Sequence, residues 1–153
     1  MRMTLKQFLN KHCQLHDDYV TYDDSKKSFN LLHFSDRSSR GIYFFAVDYD
    51  ILKVGMADGA TGFYSRFSKY NCDNTLGFAK GRSDPVSMYN CMQKVYKKYG
   101  KKVVMQVWVH KMTSDIEDYH GFKVASSKIR GFEYEMSHFA RAEGHSMFLS
   151  KLN

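Results

Sequence analysis

Gly41-Ile42-Tyr43-Phe44-Phe45-Ala46-Val47, then Asp48-Tyr49-Asp50, then Ile51-Leu52-Lys53-Val54-Gly55-Met56: two aromatic and β-branched runs flank a turn-forming triplet. The pattern predicts an antiparallel hairpin with strands over 41–47 and 51–56. Its register depends on the loop. A three-residue loop, 48–50, sets Val47 against Ile51, Phe45 against Lys53 and Tyr43 against Gly55. Tyr43 and Lys53 then share a face as diagonal neighbours, about 7–8 Å apart at the backbone. A two-residue loop turns them to opposite faces. Gly55 opposite Tyr43 leaves room for a ring or a phosphate to approach the backbone closely.

Beyond the hairpin, residues 58–62 carry a turn signal, and Phe63, Phe67 and Tyr70 recur at helical spacing, predicting a helix over 62–70. Arg66 falls off the centre of that stripe. Residues 71–84 read as an exposed loop carrying Lys80 and Arg82. Asp84 and Pro85 then suit a cap and first turn of a helix over 85–99, with Val86, Tyr89, Met92, Tyr96 and Tyr99 as its stripe and Gly100 as its stop. Lys94, Lys97, Lys98, Lys101 and Lys102 gather near its end, where cations complement the helix dipole or contact a nucleic-acid backbone. Residues 102–111 alternate as a third strand. A polar connector follows over 114–121. The last helix spans 131–142, burying Phe132, Met136, Phe139 and Ala140. At the other end an amphipathic helix over 4–15 precedes a polar loop over 16–28, with a short strand at 19–22. Asp23 and Asp24 fit a solvated turn better than a metal pair, because nothing apolar fixes their geometry. The expected fold is α/β of the α+β kind: a central antiparallel sheet of about three strands flanked by helices. It forms one domain over 1–153, with 1–40 as an N-terminal extension.

The chain has 153 residues, 43% of them apolar and 16% aromatic, and one proline. That suits a packed core and argues against a long disordered linker. There is no bilayer-spanning apolar run, and the opening residues lack the apolar core of a secretory signal. The expectation is a soluble intracellular protein, cytoplasmic or, in a eukaryotic or viral setting, nuclear. Lys and Arg exceed Asp and Glu, for a net charge of +7, the balance that phosphate-backbone binding requires. Cys13, Cys72 and Cys91 are too few and too scattered for a disulfide framework or a metal knuckle, and reduced thiols are expected. His12 and His16 lack the further ligands of a zinc site.

The spacing of Gly41-Ile42-Tyr43, Lys53-Val54-Gly55, Arg66 and Glu133 resembles the GIY-YIG nuclease superfamily over roughly residues 41–140. Lys53 stands where most members carry a second tyrosine, as in some restriction-enzyme and phage-type members. The interval from Gly55 to Arg66 is longer than usual. The resemblance implies a metal-dependent endonuclease acting on DNA, duplex or branched, with RNA left open. It further implies one Mg2+ or Mn2+ at Glu133, Tyr43 as general base, in-line attack, and products with a 5′-phosphate and a 3′-hydroxyl. Arg66 suits a phosphate clamp through its planar fork, and Lys53 adds a second positive charge. Glu135 is the rival ligand, about 200° around the helix from Glu133, and Glu143 a more distant one. Lys80, Arg82, Lys97, Lys98 and Lys101 are the candidate backbone contacts. The alternative function is an inactive nucleic-acid-binding or protein-interaction module on the same fold. Targeting falls to the loops, the N-terminal segment or a homodimer.

Overall fold

The computed structural model describes residues 3–72, 87–112, 116–119, 122–125 and 128–150. Its elements are α1 (Leu5–His12), β1 (Gln14–Asp23), β2 (Ser28–Asn30), β3 (Arg40–Val47), β4 (Asp50–Ala57), α2 (Gly62–Tyr70), α3 (Met88–Tyr99), β5 (Met105–Met112), β6 (Ile116–Tyr119), β7 (Phe122–Ala125) and α4 (Lys128–Ala142). The fold is mixed α and β, around an antiparallel sheet in the order β2-β1-β5-β3-β4. That sheet has five strands, where about three were expected. β6 and β7 pair separately within the segment read as a polar connector. Among the described residues no helix is long and apolar enough to cross a membrane.

The hairpin turns on two residues, not three. Asp48 (φ 47°) and Tyr49 (φ 67°) are both left-handed, as in the tight turns that match strand twist. Tyr49 is an unusual residue to hold there. Its hydroxyl donates to Asn10 Oδ1 at 2.8 Å, its ring lies 5.9 Å from that of Trp108, and Lys6 Nζ sits 4.8 Å above it. Val47 therefore pairs with Asp50 and Ala46 with Ile51. A bulge then admits Leu52 as an extra residue, and pairing resumes as Phe45 with Lys53 and Tyr43 with Gly55. The short turn and the bulge offset each other, so the register at Gly55 is the one a three-residue loop would give.

β3 is buried on both faces from Gly41 to Val47, as an inner strand between β4 and β5 must be. Tyr43 and Phe45 meet Phe63, Phe67 and Tyr70 of α2 and Met92 and Val95 of α3. Ile42 and Phe44 belong to the opposite cluster, with Leu5 and Leu9 of α1 and Ile129, Met136 and Ala140 of α4. The expected stripe of α2 is confirmed, and its first turn is tied back by Phe63 N–H donating to Ser39 O at 3.0 Å.

Other boundaries differ. β1 is ten residues long and starts at Gln14, where a helix to 15 and then a loop were expected. It escapes periodicity because its pairing with β5 shifts register on both sides of Asp17. Asp17 is buried, accepting from Tyr19 N–H (2.9 Å) and Leu32 N–H (2.7 Å), so a polar residue sits where a pattern reader looks for an apolar one. α3 begins at Met88, with the Ser87 hydroxyl accepting from Asn90 N–H; Asp84 and Pro85 lie outside the described residues. α4 begins three residues before Gly131, and β5 starts at Met105 instead of 102.

β4 is the sheet edge beside the hairpin turn, and residues after α4 return to it. Met147 N–H donates to Ile51 O (3.0 Å) and Leu149 N–H to Leu52 O (2.9 Å). Ile51 N–H donates to His145 Nδ1 (3.0 Å), so that nitrogen carries no proton and Nε2 faces Glu143 Oε2 at 3.3 Å. Both oxygens of Glu143 accept from Leu5 N–H, at 3.0 and 3.1 Å, placing a carboxylate at the positive end of α1.

A β-carbon on Gly55 would overlap Cζ and the hydroxyl of Tyr43. Gly55→Ala is expected to displace that ring at an overpacking cost of about 1–3 kcal/mol, lowering Tm by roughly 2–10 °C. A thermal melt superimposable on wild type shows that the ring does not rest on Gly55.

Candidate active site

The end of the Tyr43 ring fills the gap left by Gly55, and the residue is only 1% exposed. Its hydroxyl shares a 2.9 Å hydrogen bond with that of Tyr70, and its ring meets Phe67 edge-on at 5.5 Å. Burial raises the Tyr43 phenol above its usual range. Arg66 and the bond from Tyr70 oppose that, while Glu133 reinforces it. Tyr70 is held higher still, by burial and then by Tyr43. Arg66 favours the phenolate, but burial outweighs it.

Glu133 comes to the same place from the opposite face of the sheet. It is half-buried on α4, and burial raises its carboxyl against the pull of Lys53, Arg130, Arg141 and Arg66. Lys53 follows the bulged Leu52 on the edge strand. With Val54 it lines a cleft of 390 Å³ whose other walls are Glu133, Tyr134, Ser137, His138, Arg141 and Ser150. α2 and α4 cover opposite faces, so Arg66 and Glu133 act across the edge strand that carries Gly55. Glu133 feels both Lys53 and Arg66, and Tyr43 feels both Arg66 and Glu133. Glu133 is thus the residue within electrostatic reach of all three other candidates.

The two rival carboxylates are placed elsewhere. Glu135 is exposed, and Glu143 is engaged by the start of α1 and by His145. Among the described residues no three His, Cys, Asp or Glu gather as a metal cage. A lone carboxylate in an open cleft fits an Mg2+-like ion that keeps several waters and takes further oxygens from a phosphate. It does not fit a closed zinc site.

The proposed backbone contacts divide. Lys97 is exposed on the last turn of α3. Lys98 is committed to the hairpin, donating to Asp50 Oδ2 (3.1 Å) and Ser146 Oγ (2.7 Å). Burial pushes the Asp50 carboxyl up, yet hydrogen bonds from Ser146, Tyr99 and Lys98 hold it below its usual range. Lys101 is 80% exposed, 3.9 Å from Asp24. Lys80 and Arg82 lie outside the described residues. Asp23 caps the turn after β1 through Ser25 and Lys26, and the His16 ring packs against Phe34 and Phe67. The cysteines are free thiols, with Cys13 pushed up to about 12 by burial.

Sequence reasoning assigned Tyr70 only to the core, and missed Ser137, Arg141 and Ser150. A signal existed for two of these: Ser137 and Arg141 follow Glu133 at four-residue intervals, along one line of the helix.

The chain matches no protein-family model and no curated protein. Among solved structures it is similar to the restriction endonuclease HPY188I in complex with product DNA. The TM-score is 0.48 and the identity 15%, over 97% of this chain and 87% of that one.

A carboxyl raised by burial binds its proton more tightly in the folded chain than in the unfolded one. Its contribution to stability is therefore full below the unfolded pKa and lost as pH rises through the folded value. Glu133→Gln is expected to melt no lower than wild type at neutral pH and to lack that loss. A Tm several degrees below wild type at pH 7 means the charge is stabilising, and refutes the assignment.

Proposed function

We propose that the chain is a metal-dependent endonuclease that hydrolyses phosphodiester bonds in DNA, working in the manner of the GIY-YIG nucleases it resembles. One observation supports the reading: Glu133 lies within electrostatic reach of Lys53 and Arg66, and Tyr43 within reach of Arg66 and Glu133, residues drawn from two strands and two helices around Gly55.

Arg66 grips a non-bridging oxygen of the scissile phosphate with its planar fork. Lys53 supplies a second positive charge from the cleft side. Both oppose the negative charge that builds on phosphorus in an in-line displacement. Glu133 would hold the divalent ion, Mg2+ or Mn2+, which supplies Lewis-acid polarisation of the phosphate and a more acidic water. Tyr43 takes the proton of the attacking water, whose oxygen bonds to phosphorus as the bond to the 3′-oxygen breaks, and that oxygen leaves with a proton from solvent. Burial keeps Tyr43 protonated in the free protein, so it must first give its own proton to solvent, with Arg66 and the O–H of Tyr70 as the neighbours that favour the phenolate. Tyr70 fixes the direction of the Tyr43 hydroxyl. The net charge of +7 serves retention of the polyanion.

A second reading, a binding module without catalysis, draws on the near-complete burial of Tyr43.

Plasmid cleavage with and without Mg2+ separates the two. The nuclease reading expects cutting that stops in EDTA, in Glu133→Gln and in Arg66→Ala. Tyr43→Phe should slow single-turnover cleavage by about 10²–10⁴-fold. The wild-type rate should climb with pH through neutral and alkaline values, because the deprotonated fraction of its base grows throughout that range. If wild type does not cut, the module reading stands; if Glu133→Gln cuts as fast as wild type, Glu133 does not hold the ion.

A further inference from the structure

The outer side of α4 carries two rows. Glu133, Ser137 and Arg141 form one line of the helix, and Tyr134 and His138, also four apart, form the next. Both rows line the same cleft, with Lys53 opposite. Tyr134 is 70% exposed and His138 is exposed. The buried face of α4 is already supplied by Ile129, Met136 and Ala140, so the packing of the helix does not account for these rings. Arg141 is set toward the cleft, its Nη2 donating to Ser150 Oγ at 3.0 Å.

Cations and aromatic faces side by side match a nucleotide, which presents a phosphate and a flat π surface one sugar apart. Stacking of a base on an aromatic side chain tolerates any base, because every base has such a face. In a continuous duplex those faces are covered by the neighbouring pairs, and only phosphates and base edges are open. We propose that the cleft takes an unpaired nucleotide, its base stacked on Tyr134 beside His138 and its phosphate between Lys53 and Arg141. The inference rests on the nuclease reading of the same cleft and adds the form of substrate: single-stranded, or a junction or damaged duplex with a base turned out.

Binding is measured with the full chain in EDTA, so that no cleavage occurs, by fluorescence anisotropy of three labelled probes. These are an oligothymidylate, an abasic deoxyribose-phosphate strand of equal length, and a closed duplex hairpin. Wild type is expected to hold the oligothymidylate more tightly than the abasic strand. Tyr134→Ala should weaken the oligothymidylate about tenfold, bring it level with the abasic strand and leave the hairpin unchanged, while Tyr134→Phe restores wild-type binding. Unchanged oligothymidylate affinity in Tyr134→Ala overturns the proposal. So does equal weakening of all three probes, which places Tyr134 on the backbone. Plasmid cleavage in Mg2+ reports separately on the nuclease reading. Cutting without the Tyr134 effect sinks only the stacking, and the Tyr134 effect without cutting sinks only the chemistry.

Discussion

The register of one hairpin decides what this chain can do, and one extra residue decides the register. A two-residue turn alone would set Tyr43 and Lys53 on opposite faces of the sheet. Leu52, inserted as a bulge, turns the strand by one position and restores the pairing of Tyr43 with Gly55. Everything nearby depends on that pairing. The Tyr43 ring lies over Gly55 because no β-carbon stands there, Tyr70 meets its hydroxyl because the ring is so placed, and α2 packs as it does against the same ring. Bulges re-aim side chains at sheet edges and near active sites, and this one does so on the strand that carries Lys53.

Two opposing influences act on the site. Burial disfavours charge on Tyr43 and Glu133, while Arg66 pulls both toward ionisation and Lys53, Arg130 and Arg141 pull Glu133 the same way. Burial prevails in both cases. The resulting groups hold protons more firmly than they would in water. Perturbed groups facing a cleft are a recognised mark of function, though structural ion pairs share it. Asp50 shows that other case: Lys98, Tyr99 and Ser146 hold it ionised to fasten the hairpin tip to α3 and to the segment after α4.

The hairpin, α2 and the buried stripes of α2 and β5 were readable because each is locally regular: two apolar runs around a turn, a clean helical period, or strict alternation. Readable too was the glycine opposite Tyr43, once a register was assumed. What escaped reading was set by distant contacts. β1 carries Asp17 inward because a bulge and the Leu32 amide satisfy it, and no local pattern announces that. The bulge at Leu52 is invisible in an apolar run that reads equally well without it. Tyr70 looked like one more core aromatic, since its second role exists only once the Tyr43 hydroxyl is placed. The ion pair of Lys98 with Asp50 was equally out of sight, because the two lie 48 residues apart in sequence.

The segment that closes the edge of β4 bears on how the molecule comes together. Ile51 waits for His145, which lies 94 residues further along the chain, and Met147 and Leu149 complete the same seam. Until they arrive, β4 is an apolar strand with an open ladder, the kind of surface that recruits a strand from another molecule. Without that segment the edge of β4 stands open, and edge-to-edge aggregation is the hazard that this architecture carries.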